Sequence, residues 1–120
     1  AMKSIKVVDL LGTPCLLAPE LGQSLAARIK DSLGLFSSSV KVDFEGYQFL
    51  SSAFLNHAFG QICIDEDWDT PKFEKKVSVV GLQEDDLDEM RLAVDNAQAR
   101  RNMIRQGISP ETYYSAHLGA

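Results

Sequence analysis

Two adjacent serines, Ser51 and Ser52, are the residues of this chain whose type and position most clearly suggest chemistry. They follow a strand-like run that ends in Val42-Asp43-Phe44, and they open an amphipathic helix. A serine at a helix start can accept a hydrogen bond from an unpaired backbone N–H. A phosphate there is favoured by the same N–H groups and by the helix dipole. The pair is therefore either a plain helix cap or a phosphoacceptor and partner-contact site, and both interpretations stay open.

The remaining reactive side chains form no recognised catalytic or metal-binding pattern. The histidines, His57 and His117, have no ligand partner at helical spacing, and the cysteines, Cys15 and Cys63, form no CxxC motif. The GxSxG pattern of a hydrolase nucleophile is also absent. We therefore predict no catalytic residue, no metal site and no cofactor, and we expect the protein not to be an enzyme.

A polar segment over residues 65–76 combines several acids with Trp68 and a proline. Clustered carboxylates can bind a hard cation, but this spacing lacks the glycine turn and the distal glutamate of a calcium loop. We therefore expect an exposed acidic loop. Trp68 either anchors a partner protein, as exposed tryptophans often do, or folds back onto the core.

The composition is that of one ordinary globular domain. The chain has 120 residues, of which 45% are hydrophobic and 24% charged. Its formal net charge of −5 argues against binding to nucleic acid. No apolar run approaches the roughly 20 residues of a membrane span, and no signal-peptide pattern precedes the first strand. Because only two cysteines occur, a reducing compartment fits better than a secreted one, and we predict a cytoplasmic protein without membrane association.

The elements that must position the serines follow the order β-β-α-β-α-β-α. The predicted strands cover residues 4–11, 15–17, 40–44 and 77–81, and the predicted helices cover residues 19–33, 51–64 and 85–105. The first two strands suggest a hairpin, and the last strand suits burial on both faces. We therefore predict one α/β domain over residues 4–105, with a mixed, mainly parallel four-stranded sheet and about three helices. A tail over residues 106–120, which could form a short helix, follows it.

The last predicted helix carries apolar residues on more than one face. The stripe expected to face the sheet consists of Leu87, Met90, Val94, Ala97 and Ile104. Apolar residues away from that stripe are Leu92, Ala99 and Met103. These are either tolerated at the margin of the core or part of a surface for a partner or for a second copy. We take Met103, Trp68 and Phe54 as the candidate partner surface.

The segment around the serines resembles the signature of the bacterial STAS-like domains of unknown function. In that family a strand ending in Asp-Phe is followed by Gly, an apolar pair, Ser-Ser, Phe-Leu and a helix that ends in Phe-Gly. The matching residues here are Asp43, Phe44, Gly46, Phe49, Leu50, Ser51, Ser52, Phe54, Leu55, Phe59 and Gly60. The resemblance spans residues 4–102 in layout and residues 40–60 in motif, and it implies a STAS-like α/β fold.

The family's name implies kinship with the STAS domains of anti-sigma-factor antagonists, which carry Asp-Ser-Ser-Gly at the same junction. One of those serines is phosphorylated by a partner kinase. On this chain Ser51 stands in place of the acid, Ser52 in place of the phosphorylated serine and Phe54 in place of the glycine. The resemblance thus implies a protein partner, such as a serine kinase or another regulator, and it makes Ser52 the residue to test.

Three functions are compatible with these features. The first is a non-enzymatic regulatory domain that works by protein–protein contact around Ser51 and Ser52, with serine phosphorylation as its switch. The second is a small-ligand-binding module or small enzyme that uses a pocket between the acidic segment and the helix after Ser51. The third is a structural homodimer, which Met103→Asp would disrupt.

Overall fold

Three short parallel strands form the main sheet, and two shorter strands form a second sheet. The computed structural model describes residues 3–34 and 39–108. The strands are β1 (Lys3–Lys6), β2 (Cys15–Leu16), β3 (Val40–Asp43), β4 (Phe49–Leu50) and β5 (Val77–Val80). The main sheet has the order β1-β3-β5, and β2 pairs with β4. The predicted α/β fold with mainly parallel pairing is therefore confirmed.

Five α-helices lie between these strands, and a sixth follows the last strand. They are α1 (Val7–Leu11), α2 (Pro19–Ser32), α3 (Ser52–Leu55), α4 (Gln61–Asp65), α5 (Thr70–Lys76) and α6 (Glu84–Arg105), counted over the described residues. A π-helical turn, Asn56–Gly60, joins α3 to α4, so that residues 52–65 form one continuous helical run. Turns of this kind widen the helix by one residue and are frequent near functional sites.

The main sheet has one apolar face and one polar face. Val42 of the central strand β3 is in register with Ile5 of β1 and with Val79 of β5, and paired residues of parallel strands lie on the same face. These side chains join those of the helices in one hydrophobic core. The opposite face presents Lys41 and Ser78 to solvent. The helices therefore cover the sheet from one side.

Aromatic rings link the sheet to the helical run at residues 52–65. Phe44, directly after β3, meets Phe54 edge to face at a ring-centroid distance of 6.3 Å, and it lies 6.1 Å from Phe59. Phe59 in turn meets Phe73 of α5 edge to face at 5.7 Å. All four rings are buried. Edge-to-face pairs of this kind add to the stabilisation from burial, so this cluster fixes where the helical run begins.

The predicted hairpin over the first two strands is wrong. β1 ends at Lys6, and the chain continues as α1, whose Val7 is fully buried. β2 then pairs in parallel with β4. Locally, the apolar run SIKVVDLL fits either a strand or a helix, so tertiary packing makes the choice. The main sheet consequently has three strands instead of four, and every strand pair among the described residues is parallel.

The segment predicted as a loop over residues 65–76 contains the helix α5. Asp69 caps this helix, because its side chain accepts a hydrogen bond of 2.9 Å from the backbone N–H of Lys72. Pro71 lies in the first turn, where the missing N–H costs little, and Phe73 points into the core. An aspartate two residues before a proline was the available signal for this helix start.

The strand β5 is an edge strand, although the sequence predicted burial on both faces. Among the described residues it pairs with β3 alone. Val77 is buried, whereas Ser78 and Val80 are exposed. The difference arises because one face of the sheet is open to solvent.

The buried face of α6 differs from the predicted stripe at its C-terminal end. Ile104, which was expected to face the sheet, is 53% exposed, whereas Met103 is only 6% exposed. Gly107, which has a positive φ of 76°, follows the end of the helix. The backbone N–H of Ile108 then donates a hydrogen bond of 2.8 Å to the carbonyl of Met103. This hydrogen-bonding pattern is a common way for a helix to end.

Most of the predicted C-terminal tail, from residue 109 onward, lies outside the described residues, and so does His117. Within residues 3–34 and 39–108, no helix combines the length and the apolar content that are needed to cross a membrane.

Candidate functional site at the start of α3

Ser51 forms hydrogen bonds within the fold through both its backbone and its side chain. Its backbone N–H donates to the carbonyl of Leu16 at 3.1 Å, and its hydroxyl donates to the carbonyl of Leu17 at 2.7 Å. The same hydroxyl oxygen accepts a hydrogen bond of 3.0 Å from the backbone N–H of Phe54. Ser51 is thus the N-cap of α3, and its hydroxyl both donates and accepts within the protein.

This arrangement predicts different costs for the two serine-to-alanine substitutions. We expect Ser51→Ala to lower the free energy of unfolding by about 1–2 kcal/mol, because it removes the cap and leaves the Leu17 carbonyl without its donor. Ser52→Ala should change it by less than about 0.5 kcal/mol, as is usual for an exposed side chain. Urea unfolding followed by circular dichroism measures both. Equal effects of the two substitutions would contradict this assignment of the cap.

Ser52 is exposed on the surface beside α6. Its hydroxyl lies 3.4 Å from a carboxylate oxygen of Glu89, at the outer limit of a hydrogen bond. A shallow groove of about 120 Å³ begins at this pair, and we call it the Ser52 groove. Its lining residues are Ser52, Asn56, Glu89, Leu92, Ala93 and Asn96. Leu92 is 52% exposed, so the groove combines polar groups with a half-exposed apolar side chain.

Two opposing electrostatic effects act on the hydroxyl of Ser52. As the first residue of α3 it lies at the N-terminal end of the helical run at residues 52–65, where backbone N–H groups favour a negative charge. Glu89 lies across the groove and disfavours one. A phosphate on Ser52 would therefore be held by its own helix and repelled by α6.

Tyr47 joins the segment before the serines to the start of α6. Its hydroxyl donates a hydrogen bond of 2.6 Å to Asp86 and accepts one of 2.8 Å from the backbone N–H of Gln83. Partial burial raises the pKa of Tyr47, and the hydrogen bond to Asp86 raises it further. The phenol consequently stays protonated and keeps the turn before β4 next to α6. The role of Tyr47 could not be predicted from the sequence, because nothing local links it to groups more than 35 residues away.

Two of the three residues proposed as partner surface are buried. Phe54 has no exposed surface, and Met103 has almost none. These two assignments are therefore wrong, since a partner could reach neither side chain without unfolding the protein locally. Trp68 is half-buried and packs against the core, as the alternative interpretation of this residue required.

The acids of the segment 65–69 are directed to separate partners. Asp65 binds Lys30 at 2.7 Å, Asp69 caps α5, and Asp67 forms ion pairs with Arg101 and Arg105 of α6. Within the described part of the chain, no group of three or more histidine, cysteine, aspartate or glutamate side chains is placed to hold a metal ion. This segment thus connects α4 to α2 and α6.

The cysteine and histidine side chains near this region do not extend the site. Burial raises the pKa of the Cys63 thiol to about 12, so it stays protonated at neutral pH. His57 faces α2, with its Nδ1 3.4 Å from the side-chain amide of Gln23. The acidic segment and the start of α3 lie at opposite ends of a 14-residue helical run, about 20 Å apart. A single small pocket therefore does not span both.

The fold and this junction define the class of the protein. The domain has a parallel sheet, helices on one face and a capped strand-to-helix junction directly after β4. The family described as STAS-like domain of unknown function (DUF4325) matches residues 22–87, more than half of the chain. The protein belongs to this family, which confirms the resemblance seen in residues 40–60. Searches of curated proteins and of solved structures found no match.

Proposed function

We propose that this protein is a non-enzymatic regulatory domain that binds another protein through the Ser52 groove, with phosphorylation of Ser52 as its switch. One observation carries the proposal: the two serines divide their roles. Ser51 uses its hydroxyl for hydrogen bonds within the fold, whereas Ser52 is exposed and its hydroxyl, among the described residues, has only the 3.4 Å contact to Glu89. A modification of Ser52 can therefore change the surface while the cap stays in place.

The proposed switch depends on the negative charge that phosphorylation adds to Ser52. A phosphate adds a charge of about −1.5 to −2 at neutral pH. It would displace the carboxylate of Glu89 and bring further negative charge to a helix whose first turn already contains Glu84, Asp85 and Asp86. The core residues beneath, Phe54 and Leu55, would be unaffected. A partner that recognises Leu92 and the unmodified groove would then bind the unmodified protein better than the modified one.

The proposal predicts phosphorylation at a single serine. When the protein is incubated with ATP and the soluble extract of the cells that make it, intact mass spectrometry should show one added phosphoryl group. Peptide mapping should place it on Ser52. Ser52→Ala should abolish the addition, whereas Ser51→Ala, if its circular dichroism shows it folded, should keep it.

Two results would remove the switch from the proposal, namely an unchanged mass or a phosphate on any other residue. Glu89→Gln is the informative partner variant, because it removes the charge that repels the phosphate and leaves the size of the side chain unchanged. Phosphorylation should lower the free energy of unfolding of the wild-type protein more than that of Glu89→Gln. Equal losses in the two proteins would show that Glu89 does not repel the phosphate.

A further inference from the structure

We propose that β5 is a dimerisation edge, at which the β5 strands of two copies pair antiparallel and join two three-stranded sheets into one of six strands. The proposal concerns a different surface from the Ser52 groove and stands independently of its function. It rests on four features of β5 and its surroundings: open backbone groups, the absence of charged residues within the strand, a neighbouring groove with apolar lining residues, and opposite charges beyond the two ends of the strand.

The backbone groups on the outer edge of β5 face away from the sheet. The carbonyl of Val80 accepts a hydrogen bond of 2.9 Å from the N–H of Phe44 and therefore faces β3. Successive residues of a strand direct their backbone groups to opposite sides. The N–H and the carbonyl of Val79 consequently face outward, where β5 has no strand neighbour among residues 3–34 and 39–108.

The two edges of the main sheet differ in how they are protected. β1, at one edge, has the sequence KSIK and exposes Lys3 and Lys6, and charged side chains of this kind discourage pairing with another strand. β5, at the other edge, has the sequence VSVV and carries no charge. Valine also has a high preference for strands. Only the edge at β5 therefore remains suited to pairing.

A groove of about 260 Å³ lies beside β5, between α5 and α6, and its polar lining residues are Thr70, Glu74 and Arg91. Its apolar lining residues are Phe73, Val77, Val79, Leu87, Met90 and Val94. Val79 lies on the same face of the sheet as the core. In an antiparallel pair, residues directly opposite each other point to the same face. If Val79 pairs with Val79 of a second copy, each valine would enter the groove of the other.

The charges at the two ends of β5 select a second copy of this chain as the occupant. Lys75 and Lys76 directly precede the strand, and Glu84 and Asp85 follow it closely. Antiparallel pairing of two identical strands brings the lysines of each copy near the acids of the other, through a two-fold axis. Parallel pairing would instead place like charges together. This distribution of charge is thus complementary to itself in the antiparallel arrangement.

Sedimentation analysis over a range of concentrations tests the dimer. The wild-type protein should show a concentration-dependent monomer–dimer equilibrium. Val79→Pro should raise the dissociation constant by roughly a hundredfold, since proline removes an outward N–H and obstructs the added strand. The pairing of β5 with β3 does not use that N–H, so Val79→Pro should remain folded by circular dichroism.

Charge reversal provides a second test that does not depend on the proline. Lys75→Glu with Lys76→Glu should weaken the dimer, and adding Glu84→Lys with Asp85→Lys in the same chain should restore it. Lys3→Glu with Lys6→Glu, at the opposite edge, is the matched control and should leave the dimer unchanged. The proposal is overturned if the wild-type protein stays monomeric, which leaves the edge to another occupant. It is also overturned if folded Val79→Pro dimerises as well as the wild type, or if the control weakens the dimer as much as reversal at Lys75 and Lys76.

Discussion

Phe54→Ala is expected to lower the free energy of unfolding by about 3–5 kcal/mol, the usual cost of truncating a fully buried phenylalanine. Phe54 has no exposed surface, and its ring meets Phe44 edge to face. Truncation would leave a cavity at the point where β3 supports the start of α3, because the surrounding rings belong to separate elements and can close the gap only in part. Urea unfolding monitored by circular dichroism measures the loss.

Phe49→Ala is the matched control for this experiment. Phe49 lies five residues earlier in the same motif but is 59% exposed. Its truncation should cost less than about 0.5 kcal/mol. If Phe54→Ala instead leaves stability unchanged and abolishes binding to a partner, Phe54 belongs to an interaction surface after all, and its placement in the core is wrong.

Gly22→Ala is expected to destabilise the protein, although alanine has a higher helix propensity than glycine. A Cβ atom at Gly22 would lie 2.5 Å from the carbonyl oxygen of Phe54 and 3.0 Å from the backbone nitrogen of Ala58. These are backbone atoms, so α2 would have to move away from the helical run at residues 52–65. Overpacking costs about 1–3 kcal/mol and occasionally more, against a gain of about 1 kcal/mol in helix propensity. We expect a net loss of about 1–2 kcal/mol, because the clash at Gly22 involves backbone atoms.

The control for Gly22→Ala is the same exchange at Gly34. Among residues 3–34 and 39–108, a Cβ atom there would meet only the carbonyl oxygen of Asp31, at an ordinary contact distance of 3.6 Å. Gly34→Ala should therefore leave the free energy of unfolding unchanged or raise it slightly. Denaturant midpoints of the two variants, compared with the wild type, decide the question. A Gly22→Ala protein as stable as the wild type would show that α2 and the helical run are less closely packed than the structure has them.

The helix α6 contributes to both proposed surfaces. Glu89 and Leu92 line the Ser52 groove, whereas Leu87, Met90 and Val94 line the groove beside β5. A substitution in α6 can therefore change the Ser52 groove, the groove beside β5 or both. Ser52→Ala and Val79→Pro separate the two, because each changes one surface and leaves α6 intact.

Several features of the protein could be predicted from the sequence because they depend on neighbouring residues. Pro19 at the start of α2, the strand at Val40–Asp43 and the capping serine before α3 are local effects of backbone preference and hydrogen bonding. The spacing of Asp-Phe, Gly, Ser-Ser and Phe-Gly identified the family for the same reason, since a motif is a local pattern. The structure was needed to identify which of the two serines forms the cap.

Other features depend on contacts between distant parts of the chain, and only the tertiary structure decided them. SIKVVDLL fits a strand or a helix equally well, so its division into β1 and α1 and the pairing of β2 with β4 came from packing. Likewise, VSVV reads as a buried strand, but its position at the edge of the sheet depends on strand order, which no local pattern records. The sequence by itself therefore determined the fold class, the family and the serine pair. The tertiary structure decided which serine is exposed, which phenylalanine is buried and which edge of the sheet is open.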